Sequence, residues 1–373
     1  MQIAIITFHR ALNYGAVLQA FALQKKLEDM GHEAVILDHN NKKIDSINAI
    51  FRIGDNKNII HMIKELVNVP FRLIRKRRFE NFVSTKLKIY PIEDKKALVE
   101  INDCFDIFIT GSDQVWNPYL TDYDDAYFLD FVNSPEKKVS YAASIGVRRF
   151  SEADQLRVRE RLQSFAKISV REKSAKDLLQ RIVDIPIRVV VDPTLLVDRT
   201  VYADWIQNNN EGKYIFVYSL NSEVNLMTSV FELAARENLK ILYICNELYD
   251  MKKHINKRIQ HILNPSPERF ISLLANAKYV ATNSFHGTVF SIIFHKQFLC
   301  ETDYGKSKNG RVIDLLSECG LSERIVGDYT LWHKNIDWCE VDKKLKCLQS
   351  FSVAYIKELT NAPDCEEEDE RTD

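Results

Sequence analysis

Short apolar runs alternate along the chain with stretches in which apolar residues recur at helical spacing. Residues 2–7 form the first apolar run, and a polar loop follows. Apolar residues then recur with a helical period from Gly15 until Gly31, where a glycine favours the end of a helix. Residues 34–38 form the next apolar run. Strand, loop, helix and strand within about forty residues are typical of a doubly wound parallel sheet, so the pattern predicts an α/β fold.

The same alternation resumes after residue 197, so the chain divides into two parallel α/β halves with a seam near residues 193–213. In the first half, further strands are predicted at residues 105–110, 139–144, 168–171 and 188–191. In the second half, strands are predicted at residues 214–220, 240–245, 279–282 and 297–301, and helices at residues 223–238, 266–276, 286–295 and 310–319. Ligands in such folds bind at the carboxyl ends of strands, so functional residues are expected in the loops that follow them.

These boundaries predict four segments. We expect one α/β domain at residues 1–195, a second at residues 196–340 and a C-terminal helix at residues 341–362. Residues 363–373 are acidic and have no apolar anchors, so a disordered tail is expected there.

Composition and charge narrow the class of protein. The chain has 373 residues, and its 46% hydrophobic and 28% charged residues are typical of a globular enzyme with two domains. A net charge of −1 argues against a nucleic-acid partner, so an anionic ligand must be held by local cations. The apolar runs are too short to span a membrane and no signal segment is recognisable, which favours the cytoplasm. The seven cysteines form no C-x-x-C pair and have no histidine at zinc-finger spacing, so we expect reduced thiols and no metal site.

Two loops of the first half carry candidate ligand-binding residues. Asn13 and Gly15 lie where the first helix begins, and its free N–H groups and positive dipole end suit a phosphate or carboxylate. A tight strand-to-helix turn is the alternative. The loop at residues 111–118 follows a strand and combines polar side chains with an indole, a combination that suits a sugar. Its candidates are Asp113, Gln114, Trp116 and Asn117. The alternative here is a helix cap with Trp116 in the core.

Three further places could hold anions or transfer protons. Arg171 ends a predicted strand, where its guanidinium suits a carboxylate or phosphate, and an ion pair with Glu172 is the alternative. His286 lies at a strand-to-helix junction and suits general acid–base catalysis, unless its ring only caps the turn. Its polar or small neighbours are Asn283, Ser284, Gly287 and Thr288. The loop after the next strand has the cations Lys306, Lys308 and Arg311, which could clamp an anion or lie solvated at the surface.

A basic stretch at residues 71–79 interleaves apolar side chains with the cations Arg72, Arg75, Lys76, Arg77 and Arg78. Such a segment could rest on anionic lipid at the inner face of a membrane and bring the protein to a lipid-linked substrate. The alternative is an ordinary amphipathic helix that packs its apolar side on the first domain.

Six segments of the chain occur in a characteristic order and spacing. They are FHRALNYGAVLQAFAL, TGSDQVWNP, SYAASIG, SVRE, VVDPTLL and TNSFHGTVFSIIF. Together they resemble the polysaccharide pyruvyl transferase family over residues 3–318. The resemblance implies a glycosyltransferase-B-like fold, in which two Rossmann-like domains face a cleft, without metal or other cofactor. It also implies transfer of pyruvate from phosphoenolpyruvate to two hydroxyls of one sugar, with release of phosphate, in capsule or exopolysaccharide biosynthesis.

The resemblance also implies roles for individual residues. Arg171 matches the SVR-type arginine of the family, His286 its strand-end histidine and Arg311 a donor-binding cation, so these three are the expected catalytic residues. Some members have an arginine two positions before the histidine, where this chain has Ser284, and the loss of that cation makes the neighbouring loop cations more important. The expected donor-binding residues are Asn283, Ser284, Gly287, Thr288, Lys306 and Lys308. The expected acceptor-binding residues are Asn13, Gly15, Asp113, Gln114, Trp116 and Asn117, and the acceptor itself is expected to be a lipid-linked oligosaccharide.

Other functions also fit the sequence. A nucleotide-sugar glycosyltransferase of the same fold would need an acid for the ribose, for which Glu247 and Asp250 are candidates. A non-catalytic subunit of a polysaccharide assembly complex is the alternative from another class. A dinucleotide oxidoreductase is disfavoured because residues 13–18 contain only one glycine. The acceptor sugar and the oligomeric state stay open at this stage.

Overall fold

The computed structural model describes residues 1–51, 59–147, 149–208, 211–220, 224–248, 250–252, 256–302, 310–325 and 329–360. The acidic tail expected at residues 363–373 lies outside them, as do Lys306 and Lys308.

Strands and helices alternate through the N-terminal domain. The strands are β1 (Gln2–Ile6), β2 (Glu33–Leu37), β3 (Ile89–Tyr90), β4 (Ile107–Thr110), β5 (Lys138–Ser140), β6 (Ile168–Val170) and β7 (Ile187–Val189). The helices are α1 (Tyr14–Asp29), α2 (Lys42–Ile47), α3 (Ile59–Lys86), α4 (Lys95–Glu100), α5 (Pro118–Thr121), α6 (Glu152–Leu162) and α7 (Lys173–Leu179). Five strands form a parallel sheet in the order β3-β2-β1-β4-β5. Bridges from Val139 to Lys167 and from Ala143 to Val170 continue this sheet to the parallel pair β6-β7.

The C-terminal domain repeats this topology. Its strands are β8 (Tyr214–Tyr218), β9 (Lys240–Cys245), β10 (Ile259–Leu263), β11 (Tyr279–Thr282) and β12 (Gln297–Cys300). Its helices are α8 (Val224–Arg236), α9 (Pro267–Ala275), α10 (Phe285–Ile293) and α11 (Gly310–Glu318), and a last helix, α12 (Trp338–Thr360), follows. The sheet is again fully parallel, in the order β10-β9-β8-β11-β12. Both domains are therefore Rossmann-like, with the order of the strands reversing between β1 and β4 and between β8 and β11.

The central strands are buried on both faces because helices cover both sides of each sheet. The described residues of β1 after Gln2 and all of β4, β8 and β11 are buried. The sequence pattern found these strands because such burial demands continuous apolar runs. It missed β3 and β10, whose residues are half-buried or exposed.

The two domains meet through apolar and polar contacts around the start of α1. The Tyr14 hydroxyl donates to the Pro265 carbonyl oxygen at 2.9 Å, and the Tyr14 ring stacks on Phe270 with ring centroids 4.3 Å apart. Helix α12 then returns to the N-terminal domain, where the Tyr355 hydroxyl donates to the Ser140 carbonyl oxygen at 3.1 Å. The carboxyl ends of the strands in the two sheets consequently face one cleft, as in glycosyltransferase-B-like folds.

The basic stretch of the sequence lies inside α3, and three of its cations contact other parts of the protein. Arg72 is 5% exposed. Arg75 donates to the carbonyl oxygen of Leu12, and Arg78 to that of Asn264. Arg72 is therefore unavailable to a membrane, whereas Arg78 is exposed despite its contact. Among the described helices, none is both long and apolar enough to cross a membrane.

Candidate functional site

A cluster of charged side chains lies where the two domains meet. Each member follows a strand or begins the helix after one. Asp113 follows β4, Arg171 follows β6, Asp192 follows β7, His286 lies in the first turn of α10 after β11, and Arg311 lies in the first turn of α11. Asp113 and His286 thus occupy the reversal points of the two sheets, where α/β proteins bind ligands.

Arg171 is the most enclosed cation of the cluster. Its Nη1 donates to Oδ2 of Asp192 at 2.6 Å, and its Nη2 donates to Oδ1 of Asp113 at 3.3 Å. The Ser112 hydroxyl oxygen lies 3.4 Å from the same Nη1. Burial by itself lowers the pKa of the guanidinium, but the negative charges of Asp192, Asp113 and Glu172 outweigh this and raise it. The guanidinium that was expected to bind a carboxylate or phosphate is therefore already held by two carboxylates of the protein, Asp192 and Asp113.

The Asp192 carboxylate interacts with charged or polar groups of both domains. Its Oδ1 accepts hydrogen bonds from the amide and hydroxyl of Thr194, at 3.0 and 2.6 Å. Its Oδ2 accepts from Arg171 and from the Ser112 hydroxyl, and lies 3.5 Å from Nε2 of His286. Burial by itself raises the pKa of this carboxyl, but His286, Arg171 and Thr194 outweigh it and hold the pKa well below its usual range. Asp192 is consequently ionised at neutral pH although it is fully buried.

Sequence reasoning missed Asp192, although the residue lies inside the VVDPTLL segment. The available signal was an acid placed just after a predicted strand and followed by Pro193, which starts a short helical turn capped by this same acid. What makes the residue notable is its contact with His286, which the sequence could not predict because that contact depends on how the domains pack.

His286 is held between the two domains by a glycine. A Cβ atom built on Gly15 would lie 1.9 Å from Nδ1 of His286, so only a glycine lets the start of α1 approach the imidazole. Phe285 packs edge-to-face against the same ring, with centroids 5.1 Å apart. Nε2 has Asp192 nearby but no hydrogen-bond partner among the residues that the structure describes. The ring is therefore fixed in place, with its Nε2 buried and facing the Asp192 carboxylate.

Arg311 is the less enclosed of the two arginines. Its Nη1 lies 3.9 Å from Oδ1 of Asp113, and its side chain is 12% exposed. The Phe285 ring lies against both guanidinium groups, with the Cζ atoms of Arg171 and Arg311 at 4.8 and 5.6 Å from its centroid. Burial and repulsion from Arg171 lower the pKa of Arg311. An anion that binds here therefore relieves the repulsion between two adjacent cations.

The Asp113 carboxylate occupies the space between these two arginines. It is the acid within reach of both, and its backbone has a positive φ of 74° that a non-glycine residue adopts at a conformational cost. A cavity of about 200 Å³ adjoins the cluster. It is lined in part by Arg171, Lys173, Asp192, Phe285, Arg311 and Asp314.

Glu172 is a second acid whose place the sequence did not predict. It is buried, and its Oε1 accepts a hydrogen bond from the Ser144 hydroxyl at 2.6 Å. Oε2 has no hydrogen-bond partner within the described part of the chain. Burial raises the pKa of this carboxyl, and the charges of Arg171 and Arg311 offset the rise only in part.

Several expected acceptor-binding residues have structural roles instead. Trp116 is 1% exposed, and its indole N–H donates to the Tyr127 carbonyl oxygen at 2.9 Å. Its ring therefore offers no face to a sugar, and the expectation that it binds the acceptor is wrong. Asn117 is buried and donates from Nδ2 to Oε1 of Gln114 at 2.7 Å. Asn13 caps α1 by accepting from an amide of its first turn.

The neighbours of His286 mainly hold the junction between β11 and α10. Ser284 caps α10, and the Thr288 hydroxyl donates to the Ser284 carbonyl oxygen at 3.1 Å. Oδ1 of Asn283 accepts from a backbone amide after β8 at 2.8 Å. A Cβ on Gly287 would lie 2.2 Å from Oγ1 of Thr282, so this glycine serves the packing of the helix rather than the approach of a ligand.

Within the described ranges, no group of three or more His, Cys, Asp or Glu side chains could hold a metal ion. The arrangement instead combines two guanidinium groups for an anion with a histidine beside an ionised carboxylate. Such a set can bind a phosphate or carboxylate and move a proton close to it.

Comparisons with known proteins cover nearly the whole chain. A family model described as polysaccharide pyruvyl transferase matches residues 13–302. A putative UDP-N-acetylglucosamine 2-epimerase from Listeria monocytogenes is similar in structure, with a TM-score of 0.54 and 13% identity over 97% of this chain and 97% of that chain. The UDP-GlcNAc 2-epimerase from Neisseria meningitidis bound to UDP-GlcNAc has a TM-score of 0.51 and 11% identity over 97% and 100% of the respective chains. No curated protein sequence matches. These structural likenesses show the fold alone and confirm the glycosyltransferase-B-like architecture.

Proposed function

The chain belongs to the polysaccharide pyruvyl transferase family, and we propose that it transfers pyruvate from phosphoenolpyruvate to two hydroxyls of one sugar, forming a cyclic ketal. The acceptor we propose is a lipid-linked saccharide that becomes part of a surface polysaccharide, and we propose that it is modified at the cytoplasmic face of a membrane. The proposed reaction uses no cofactor, since phosphoenolpyruvate is itself a substrate. The observation that supports this proposal is the cluster of two arginines, one histidine and one ionised aspartate where the two domains meet.

Phosphoenolpyruvate carries a phosphate and a carboxylate on adjacent carbon atoms, so it needs closely spaced cations. Arg311 is the more accessible cation and is the proposed first contact of the phosphate. The place between Arg311 and Arg171 now holds the Asp113 carboxylate at 3.9 and 3.3 Å. In the proposed complex an anionic group of the donor takes this place, and Asp113 turns toward the acceptor hydroxyls.

His286 is the proposed general acid and base. It gives a proton to the methylene carbon of the donor, and the adjacent carbon then has oxocarbenium character and is attacked by the first sugar hydroxyl. The second hydroxyl displaces phosphate from that carbon. One hydroxyl proton restores the proton on His286, and the other leaves on phosphate, so atoms and charge balance. Arg171 and Arg311 stabilise the departing phosphate, and Asp192 stabilises the protonated form of the imidazole.

The structure weakens the case for a glycosyltransferase that uses a nucleotide sugar. Glu247 pairs with Arg72 at 2.8 Å, and Oδ2 of Asp250 accepts from the backbone amides of Asn246 and Glu247 at 3.1 Å. Both acids that were candidates for contacting a ribose are thus engaged in local contacts.

The first experiment measures phosphate release from phosphoenolpyruvate together with product mass, using a panel of lipid-linked and pyrophosphate-linked sugars. We expect acceptor-dependent phosphate and a product heavier by one ketal pyruvate. His286→Asn should lower kcat by about 100-fold or more, because general acid–base catalysis contributes about that much. It should keep the rise in melting temperature that phosphoenolpyruvate causes, since the arginines stay.

His295→Asn is the matched control, because His295 is a half-buried histidine beyond the C-terminal end of α10 and is paired with Asp342. The kcat of this variant should equal that of the wild type. Release of phosphate that does not depend on His286 would rule out this mechanism. The absence of any effect of phosphoenolpyruvate on turnover and on melting temperature would rule out this donor.

A further inference from the structure

Over residues 62–74, helix α3 has its polar side chains toward the protein and its apolar side chains outward, whereas Phe79 and Phe82 in its later turns are buried in the core. Glu65, Asn68 and Arg72 are buried against the rest of the molecule. Six apolar side chains of the same helix are between 46% and 59% exposed. They are Met62, Ile63, Leu66, Val67, Leu73 and Ile74. An ordinary surface helix of a globular protein has the opposite arrangement.

Buried polar side chains fix the orientation of α3 over residues 62–74, and Phe79 and Phe82 fix it further along the helix. Arg72 donates to Glu65 and Glu247, with shortest N–O distances of 2.5 and 2.8 Å. Oδ1 of Asn68 accepts from the amide of Leu248 at 3.2 Å. Turning the helix to bury its apolar residues would separate Arg72 from Glu65 and Glu247, and breaking a buried ion pair such as Arg72–Glu65 is strongly unfavourable. The outward position of the apolar residues is therefore built into the fold.

The exposed apolar residues form one stripe. Residues 63, 66, 67, 70, 73 and 74 recur at intervals of three and four, so they share one face of the helix over about 17 Å. The next residue on this face is the exposed Arg77, and the exposed Lys76 lies beside it. Glu80 is the exposed acid close by, and it lies 3.7 Å from Lys76. The stripe thus ends in a group of cations.

A cavity of about 590 Å³ opens next to Ile74 at this cationic end. Its cations are Arg77, Arg78, Lys86 and Arg269, and its acids are Asp204 and Glu268. The ammonium of Lys86 lies 5.8 Å from the centroid of the Trp205 ring, which also lines the cavity. The apolar stripe would match the acyl region of a phospholipid surface, and the cations around the cavity would match its phosphates.

We propose that this face of α3 docks on an anionic lipid bilayer. Leu66, Val67 and Ile74 enter the region just below the headgroups, and Arg77 and Lys86 contact lipid phosphates. A bilayer supplies apolar and anionic layers in the required order, and the net charge of −1 shows that this cationic end is a local feature. The inference does not depend on the proposed reaction, although it would place the enzyme beside a lipid-linked acceptor.

The test is flotation of the full chain with vesicles of phosphatidylcholine alone or of an equal mixture with phosphatidylglycerol. We expect binding to the anionic vesicles that weakens as salt is raised. Leu66→Gln/Ile74→Gln should lower the bound fraction at least tenfold, and Arg77→Gln should weaken binding mainly at low salt. Leu156→Gln, a change at an exposed leucine of α6, is the matched control and should bind as the wild type does. His286→Asn should also bind normally, which separates docking from the reaction.

Circular dichroism and melting temperature establish that each variant is folded. Equal binding by Leu66→Gln/Ile74→Gln and the wild type would overturn the proposal, as would failure of the wild type to float with anionic vesicles. Light scattering decides between a bilayer and a second copy of the chain. A dimer that Leu66→Gln/Ile74→Gln dissociates, together with no vesicle binding, would assign the stripe to self-association and overturn the proposal as well.

Discussion

At the scale of single residues, the charged cluster combines two arginines with three acids, and all of these side chains are mostly or fully buried. The acids are Asp113, Glu172 and Asp192. Asp192 is the central acid, since it lies within 3.5 Å of both Arg171 and His286. The sequence could predict that Arg171, His286, Arg311 and Asp113 lie at strand ends, because apolar runs mark the strands. It could not predict which of them meet, because those contacts form between distant parts of the chain. Their catalytic roles stay predictions.

Asp192→Asn tests whether Asp192 positions and stabilises His286. The amide keeps the size of the side chain and an acceptor for Thr194 but removes the negative charge. We expect kcat to fall by about 100-fold, because the protonated imidazole loses its counter-charge, while the effect of phosphoenolpyruvate on melting temperature persists. Asp177→Asn, at an exposed acid of α7, is the control. Unchanged kcat in Asp192→Asn would contradict this role.

Glu172→Gln tests the buried carboxyl through the pH dependence of stability. Burial raises the pKa of Glu172 in the folded state above the value of about 4.3 found in unfolded chains. The wild type therefore loses unfolding free energy as pH rises above about 4.3, because its folded state resists ionisation. The amide cannot ionise, so the stability of the variant relative to the wild type should rise with pH.

Urea unfolding between pH 4 and pH 8 measures that difference. Glu160→Gln, at an exposed glutamate of α6, should show a difference that hardly changes with pH. A constant difference for Glu172→Gln would mean that its carboxyl titrates normally in the folded protein.

At the scale of elements, the site depends on the contact between the N-terminal turn of α1 and the first turn of α10. The helical period predicted both helices to within two residues, because each buries nearly all of its first turns. The strand predicted at residues 139–144 ends at Ser140 instead, since the chain turns through Ala142, whose φ is 53°. An alanine in this conformation gives no signal in an apolar run. The same pattern could not show that Trp116 faces the core, because the segment around it is short and irregular.

Gly15→Ala tests the contact between these two helices. The new Cβ would overlap the imidazole of His286, so the ring must shift or the helices must separate. We expect kcat to fall by at least about 10-fold, because small displacements of a catalytic group are costly. Overpacking should lower the free energy of unfolding by about 1–3 kcal/mol.

A double variant identifies the cause. In Gly15→Ala/His286→Ala the ring is absent, so the loss of stability from the Gly15 change should disappear, as a double-mutant cycle would reveal. Equal losses in the presence and absence of the ring would show that the helix start itself, and not His286, requires the glycine.

At the scale of the whole molecule, the two domains are joined by polar contacts on both sides of the cleft. Arg72 of α3 reaches Glu247, which follows β9, and Lys173 of α7 pairs with Glu318 of α11 at 3.0 Å. The sequence predicted the two domains from the repeated rhythm of strands and helices. It assigned Arg72 to a surface because five cations within seven residues resemble a solvated face, whereas the fold buries one of them between two acids.

Arg72→Met tests how much this buried link contributes. Removing the cation breaks the buried ion pair between Arg72 and Glu65, so the free energy of unfolding should fall by about 3–5 kcal/mol. Arg72→Met/Glu65→Gln should recover part of the loss. Arg77→Met, at an exposed arginine of the same helix, should change stability by less than about 0.5 kcal/mol. Urea unfolding measures all three, and a small loss in Arg72→Met would mean that water reaches Glu65.

The return of α12 to the N-terminal domain has a consequence for how the protein is made. Ser352 of this helix accepts from the amide of Val191, and Tyr355 donates to Ser140, so the helix completes the packing beside β5 and β7. A nascent chain that has left the ribosome only as far as residue 330 has all strands of both sheets but lacks this cover. We therefore expect the N-terminal domain to complete its packing beside β5 and β7 only after α12 has been synthesised.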